Sequence, residues 1–266
     1  MGIVLSNIVA IYRRELQSYF VSPLAYAIAG IFWLIAGFFF FLILLGPTGI
    51  IAEAFYQDSQ GAPGSLDVGS RFVQDFLSIM AWLLLFLLPI LSMGLYAEER
   101  KRGTLELLAT SPITNWGVAV GKLLGVLTFF ITLVVPILGL EAIALSAANP
   151  PMQPAILLLG HLGLILLAAA ILSLGMFISS LGESTILSAV FTFTASILLM
   201  LVPDFIGQKL GGSMGEFLSN LSLAKHYNDL VQGIFDTSSL ILFASYIFLG
   251  IFLTAQSIDA LRFQRN

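Results

Sequence analysis

Residues 97–112 of the chain read AEERKRGTLELLATSP, and this stretch is a dense block of charge between two long apolar runs. It has the parts of a short helix outside a bilayer: Gly103 breaks the chain, Thr104 can cap a helix, and the leucines that follow give an apolar side. Pro112 then stops the helix and turns the chain toward the next apolar run. We expect any exchange with a soluble partner to occur here.

The composition places most of the chain in a membrane. Of its 266 residues, 58% are hydrophobic and 10% are charged, and such a chain cannot build a water-soluble surface. The length allows about six spanning helices of roughly 20 residues each, with little left for a soluble domain. We therefore predict one all-α integral membrane domain over residues 1–266. The absence of cysteine excludes disulfides and thiolate metal sites, and the net charge of −4 does not favour a nucleic-acid partner.

The first segment, residues 3–20, is predicted to be an amphipathic helix lying in the membrane surface. Its apolar residues recur at helical spacing, and Arg13, Arg14 and Gln17 lie away from most of them. A signal peptide is disfavoured because the charges follow the first apolar residues and no small-residue cleavage site comes after them. A plain interfacial anchor and a coupling role both remain open for this helix.

Hydropathy predicts six spans separated by turns and loops. Residues 46–75 read as a solvated loop, and residues 203–238 read as a long polar connection with an amphipathic stretch that includes His226. Pro89 and Pro136 lie inside spans and are expected to kink them. The predicted spans are about 24–45, 76–96, 116–146, 155–181, 185–202 and 240–258.

Gly117, Gly121 and Gly125 are spaced four apart in the third span, which predicts close approach by another helix. We expect this face, together with the first span, to be a candidate for pairing between two copies of the chain. Residues 117–122 also resemble part of a phosphate-binding loop, but one residue is missing between the glycines and Leu123 follows the lysine. No nucleotide site is predicted in this chain.

Two polar residues within the spans need separate interpretation. Glu141 lies toward the outer end of the third span, where it is either a functional acid at membrane depth or a residue at the interface. His161 has no second histidine or carboxylate at ligand spacing, so no metal site is predicted. The sequence thus predicts no catalytic, cofactor-binding or metal-binding residue.

The distribution of basic residues predicts the orientation. Because six crossings place both termini on one side, that side holds eight of the eleven basic residues, and only Arg71, Lys209 and Lys225 fall opposite. The positive-inside rule then makes the termini and the charged block cytoplasmic in a multi-pass protein of the cell (inner) membrane.

The charged block, the six spans and the N-terminal amphipathic helix together resemble the permease subunit of an ABC-2 type transporter, over nearly the whole chain. Further stretches resemble the branch that contains the gliding-motility and copper-related permeases. These are RELQSYF at 14–20, SPLAY at 22–26, HY at 226–227 and GIFD at 233–236.

The resemblance implies that the chain forms half of the membrane pathway of an ATP-driven exporter, while a separate ATPase subunit binds and hydrolyses ATP. In that family the helix after the second span docks into a groove on the ATPase, and here this coupling helix would cover residues 98–108. A charged loop that only fixes orientation is the alternative. The coupling residues are predicted to be Glu98, Glu99, Arg100, Arg102, Gly103, Thr104, Leu105, Glu106 and Leu108.

The resemblance also implies partners within the membrane: a second permease copy or a related permease, and an auxiliary membrane protein. The competing function is an ATP-independent secondary transporter or a structural membrane subunit. A secondary transporter is expected to show charged or broken helices near mid-membrane in related halves, and apart from Glu141 and the prolines none is found in the sequence.

Overall fold

A computed structural model describes residues 2–61, 67–104, 114–148 and 152–263, and these residues form helices joined by short connections, with no strand. Many helices begin at polar caps or at proline, as at Pro23 and Pro154. The described helices are α1 (Gly2–Val21), α2 (Pro23–Leu45), α3 (Ile50–Ser59), α4 (Val68–Ser92), α5 (Ala97–Lys101), α6 (Asn115–Leu145), α7 (Pro154–Leu181), α8 (Thr185–Leu210), α9 (Gly212–Ser219), α10 (Leu223–Val231) and α11 (Thr237–Phe263).

Within the described residues, α2, α4, α6, α7, α8 and α11 are long and apolar enough to cross a membrane. The prediction of an all-α fold with six spans is therefore confirmed. α4 and α7 are the most covered, with 61% of the most apolar window of each buried, whereas the corresponding share for α2 and α8 is 22%. The bundle is thus built around α4 and α7, and α2 and α8 lie at its edge.

The predicted loop over residues 46–75 is wrong, because much of this stretch is helical. α3 covers part of it, and α4 begins at Val68 instead of residue 76. The Asp67 side chain caps α4 by accepting a hydrogen bond from the Ser70 amide at 3.1 Å, and Arg71 pairs with Asp75 one turn later at 2.9 Å. Of the charged residues assigned to a solvated loop, Glu53 and Asp58 lie in α3, and Asp67, Arg71 and Asp75 cap α4 or lie in its first turns.

The predicted end of the fifth span at residue 202 is also wrong. α8 continues through Pro203 to Leu210 and ends where Gly211 adopts a φ of +62°. An Asp204–Gln208 hydrogen bond of 2.8 Å, one turn apart, supports this extension. Residues 203–210 are therefore the end of α8, and the predicted amphipathic stretch that follows lies in the two short helices α9 and α10.

The glycine face of α6 is occupied by α1. A Cβ added at Gly121 would lie 2.8 Å from Cγ2 of Ile11, and one added at Gly125 would lie 2.7 Å from Cβ of Glu15. The predicted close approach of a helix is present, but its partner is the amphipathic helix of the same chain. The expectation that this face pairs two copies is wrong, because α1 needs a flat surface for its apolar side and covers it.

Candidate functional site

The turn between α4 and α5 is fixed to the C-terminal end of α7 by one serine. The hydroxyl of Ser179 accepts hydrogen bonds from the Tyr96 amide at 3.1 Å and the Ala97 amide at 3.0 Å. It also donates to the carbonyl oxygen of Met93 at 2.8 Å. Since Tyr96 and Ala97 are fully buried, the base of α5 cannot move independently of α7.

A second attachment joins α5 to the same end of α7. Arg100 donates from Nη1 to the carbonyl oxygen of Ser180 at 2.9 Å. The last carbonyls of a helix lack partners within the helix and carry partial negative charge, so a guanidinium is well placed there. Arg100, predicted as a contact to a soluble partner, therefore has an intramolecular partner.

Lys122 lies at the centre of a buried charge cluster that joins three helices. Its Nζ is 2.9 Å from Oε1 of Glu15 on α1 and 2.9 Å from Oε1 of Glu99 on α5, and the residue is only 2% exposed. The Tyr96 ring lies beneath the ammonium group, with its centroid 5.1 Å away. Burying charge is costly unless it is paired, so these contacts hold α1, α5 and α6 together.

Tyr19 extends the cluster along α6 to Phe129 and across to α4. Its hydroxyl donates to the carbonyl oxygen of Leu91 on α4 at 3.0 Å, and its ring stacks on Phe129 of α6. Burial, reinforced by the nearby carboxylates of Glu15 and Glu98, raises the pKa of Tyr19 above its usual value. The hydroxyl stays protonated and keeps α1 attached to α4 by hydrogen bonding.

The outer side of α5 carries charges that remain accessible. Glu98 and Arg102 are 3.5 Å apart, but their side chains are 55% and 74% exposed, so the pair contributes little and either residue can bind another partner. Lys101 is exposed beside them. Gly103, with a φ of +70°, ends the helix, and Thr104 donates to the Glu99 carbonyl at 3.2 Å. Leu105, Glu106 and Leu108 lie outside the described residues.

The six predicted coupling residues that the structure describes therefore fall into two groups. Glu99 and Arg100 face the protein interior, whereas Glu98, Arg102, Gly103 and Thr104 face outward. Sequence reasoning missed Glu15, although it is the only acidic residue among the first 52 and lies near a lone lysine of an apolar span once the helices pack. A buried lysine requires a counter-charge, and that requirement was the available signal.

A second buried polar pair lies at the other end of α6. Glu141 is fully buried, and its Oε1 is 3.6 Å from Nε2 of His161 on α7. The sequence left the depth of Glu141 open and found no carboxylate for His161. The partner was missed because it lies 20 residues away on the next antiparallel helix. No cluster of three or more metal-ligating side chains occurs in the part of the chain that the structure describes.

Two cavities accompany these polar centres. One, of about 420 Å³, lies beside the Lys122 cluster between α1, α2, α4 and α5, with Arg14, Glu98 and Arg102 in its wall. The other, of about 620 Å³, lies between α4, α8 and α10, with Trp82 and Asp204 in its wall. The second cavity combines aromatic and polar lining residues at the edge of the bundle.

Comparison with protein families identifies a match over most of the chain. A family model described as "ABC-2 family transporter protein" matches residues 24–265. This match does not support the narrower branch of gliding-motility and copper-related permeases. A comparison with curated proteins finds no match. The matched range begins after α1, so Glu15 lies outside it while Glu99 and Lys122 lie inside.

Proposed function

The chain belongs to the ABC-2 family of transporter proteins, and on that premise we propose that it is the membrane-spanning permease of an ATP-driven exporter. ATP is bound and hydrolysed by a separate ATPase subunit, and this chain converts movements of that subunit into movements of its spans. The observation that carries the proposal is the construction of α5, which exposes charge on one side and is anchored in the bundle on the other.

A coupling element has to be rigid, because a flexible loop would absorb a displacement without passing it on. α5 meets this requirement despite its five residues. Its base is bound to Ser179, Arg100 holds the end of α7, and Glu99 is bound to Lys122. Glu98, Lys101 and Arg102 are left for a partner surface that carries charges of both signs.

The same contacts determine which helices move when α5 is displaced. Through Glu99 and Lys122 it reaches α6, and through Glu15 it reaches α1. Through Ser179 it reaches α7, which lies in the middle of the bundle. Separating one partner from a buried ion pair costs about 3–5 kcal/mol. A displacement of α5 that requires less free energy than this therefore moves the helices together and leaves the cluster intact.

The membrane pathway, in this proposal, is completed by a second copy of the chain or by a related permease. The cavity of about 620 Å³ between α4, α8 and α10 lies at the bundle edge, next to the little-covered α8. Trp82, Asp204 and Gln208 give it apolar and polar walls suited to a passing solute. Disulfide trapping tests this arrangement, with a cysteine at Trp82 in one copy and a cysteine at Phe205 in the other. Recovery of monomers alone would contradict it.

The proposed location is the cell membrane, with both termini and α5 in the cytoplasm. Because the chain has no cysteine, single cysteines introduced at Gln60, Leu210 and Lys101 give an unambiguous reading of the topology. All three positions are exposed. We expect a membrane-impermeant thiol reagent to label intact cells at Gln60 and Leu210, and to label Lys101 only after the membrane is opened. Labelling of Lys101 from outside would reverse the orientation and remove α5 from the ATPase side.

Docking of the ATPase is tested by Arg102→Glu. This change places a third carboxylate beside Glu98 and Glu99 at an exposed position, so the fold should tolerate it while a partner surface that matches the guanidinium should not. We expect at least about tenfold weaker binding of the ATPase, a loss of roughly 1.4 kcal/mol. Copurification of the tagged chain with its ATPase measures the effect.

Lys209→Glu is the matched control for this experiment, because it reverses an exposed charge at the other end of the bundle. It should leave ATPase binding unchanged. Glu99→Lys is a less suitable probe, because it would place a second lysine against Lys122 and disturb the buried cluster. Equal ATPase recovery with Arg102→Glu and with the unaltered chain would show that the exposed side of α5 is not the docking surface.

A further inference from the structure

The chain contains two histidines, and their surroundings differ. In His226 both ring nitrogens have partners, the carbonyl oxygen of Asn220 at 3.0 Å and the hydroxyl of Ser239 at 2.8 Å. In His161 only Nδ1 has one, the carbonyl oxygen of Leu157 at 3.0 Å. Nε2 of His161 and both carboxyl oxygens of Glu141 are buried without a hydrogen-bond partner among the described residues. Three unsatisfied polar atoms thus meet at one place between α6 and α7.

The Leu157 carbonyl fixes the tautomer of His161. A carbonyl oxygen only accepts hydrogen bonds, so Nδ1 has to carry a hydrogen, and in the neutral ring Nε2 is then an acceptor. An ionised carboxyl group is also only an acceptor. Two acceptors 3.6 Å apart in a buried site would repel each other and both stay unpaired. One proton placed between them removes the conflict.

The proton can be bound to Glu141 or to His161, and the net charge of the pair is zero in both cases. A protonated Glu141 donates to Nε2 of His161, or an imidazolium donates from Nε2 to the Glu141 carboxylate. Each state is neutral overall and satisfies both groups. Closing the observed separation of 3.6 Å to an ordinary hydrogen-bond length needs a side-chain shift of less than about 1 Å.

Within the described residues, the polar side chains of the neighbouring helices supply no hydrogen bond to the Glu141 carboxyl group or to Nε2 of His161. On α10, Tyr227 donates to the Leu77 carbonyl at 2.7 Å, and His226 is held as described above. On α4, Arg71 and Asp75 pair with each other, and on α11 Asp259 bonds Asn115, which begins α6 at the far end from Glu141. Within the described residues, the salt-bridge partner of Glu141 is His161.

We propose that Glu141 and His161 form a binding site for a single proton inside the helix bundle, shared between α6 and α7. With one proton the site joins the two helices through a hydrogen bond. With none it leaves a carboxylate facing an acceptor nitrogen, and with two it leaves an unbalanced positive charge, so only the singly protonated site holds the helices together. The inference concerns this pair alone and does not depend on an ATPase partner.

Nuclear magnetic resonance of the full chain in lipid bilayers tests the site directly. With only two histidines, a sample labelled with ¹⁵N-histidine gives two sets of ring signals, and His226→Gln assigns them by removing one. Infrared spectra of the same preparation detect a protonated carboxyl group by its carbonyl band. Near neutral pH we expect either imidazolium signals from His161, or a neutral His161 protonated at Nδ1 together with a protonated-acid band.

Two variants identify the source of that band. Glu141→Gln should abolish it, and because the glutamine amide can donate to Nε2, His161 should stay neutral and protonated at Nδ1. Glu183→Gln removes an exposed carboxyl group and should leave the band intact. If Glu141→Gln does not fold, labelling the glutamate side-chain carbons of the unaltered chain gives the same reading. A neutral His161 of either tautomer without an acid signal from Glu141 would overturn the proposal.

Discussion

Substitution of Lys122 by methionine is expected to destabilise the protein more than any other single change to a charged residue described here. It would leave the carboxylates of Glu15 and Glu99 close together in a buried site without their shared cation. Removing one member of a buried charge pair costs about 3–5 kcal/mol, which is a large part of a typical stability of 5–15 kcal/mol. We expect a strongly lowered melting temperature and little monodisperse protein after size-exclusion chromatography in detergent.

A variant with restored charge balance distinguishes the loss of ion pairing from a simple loss of packing. A triple variant that combines Lys122→Met with Glu15→Gln and Glu99→Gln removes all three charges and keeps similar volumes, and it should recover most of the lost stability. Lys225→Met is the control, since Lys225 bonds Asn220 at an exposed site and its loss should change little. If the single and triple variants were equally unstable, electrostatic pairing would not be what holds this end of the bundle.

Replacement of Gly121 by leucine is expected to displace α1 from α6. The first added carbon would already lie within 2.9 Å of the Ile11 side chain and 3.1 Å of the Ile8 carbonyl oxygen, so the helices have to separate. Because Glu15 is carried by α1, the separation also removes one partner of Lys122. The protein should still insert in the membrane, and under the coupling role proposed for α5 it should lose most ATPase-linked transport.

Accessibility of α1 measures this displacement. A single cysteine at Leu16, which is partly buried against the bundle, should react slowly in the parent chain and rapidly in the Gly121→Leu background. Gly139→Leu provides a control on the same helix, because a Cβ at Gly139 meets nothing within 4 Å. Unchanged labelling at Leu16 in the Gly121 variant would mean that α1 does not rest on the glycine face.

Much of the fold could be predicted from the sequence because each span requires about 20 apolar residues, and hydropathy registers that requirement directly. The errors concern the ends of helices. Asp67 caps α4 earlier than hydropathy indicates, and α8 passes through Pro203 to the left-handed Gly211. Both depend on local hydrogen bonds and backbone conformation, which an averaged hydropathy does not measure.

The candidate site could be predicted only in part, for a different physical reason. Charge density located the block around α5, but Glu98 and Glu99 are neighbours that point about 100° apart on a helix, and only packing decides which one faces inward. Here Glu99 faces inward because it pairs with Lys122, which also pairs with Glu15, 107 residues earlier in the sequence. The pairing of Glu141 with His161 likewise depends on how two consecutive helices are aligned, which sequence spacing does not reveal.

The position of Lys122 in the chain has a consequence for biosynthesis. Both of its acidic partners, Glu15 and Glu99, lie earlier in the sequence, so they have already left the ribosome when the third span is delivered to the membrane. An unpaired lysine at the centre of a span resists insertion by about 2.5–3.5 kcal/mol. Lys122 lies nearer the start of α6, where the cost is smaller, and both of its counter-charges have already been synthesised. Glu141 has the opposite order, because His161 follows it on the next span. Stable placement of the third span's far end therefore has to await the arrival of the fourth.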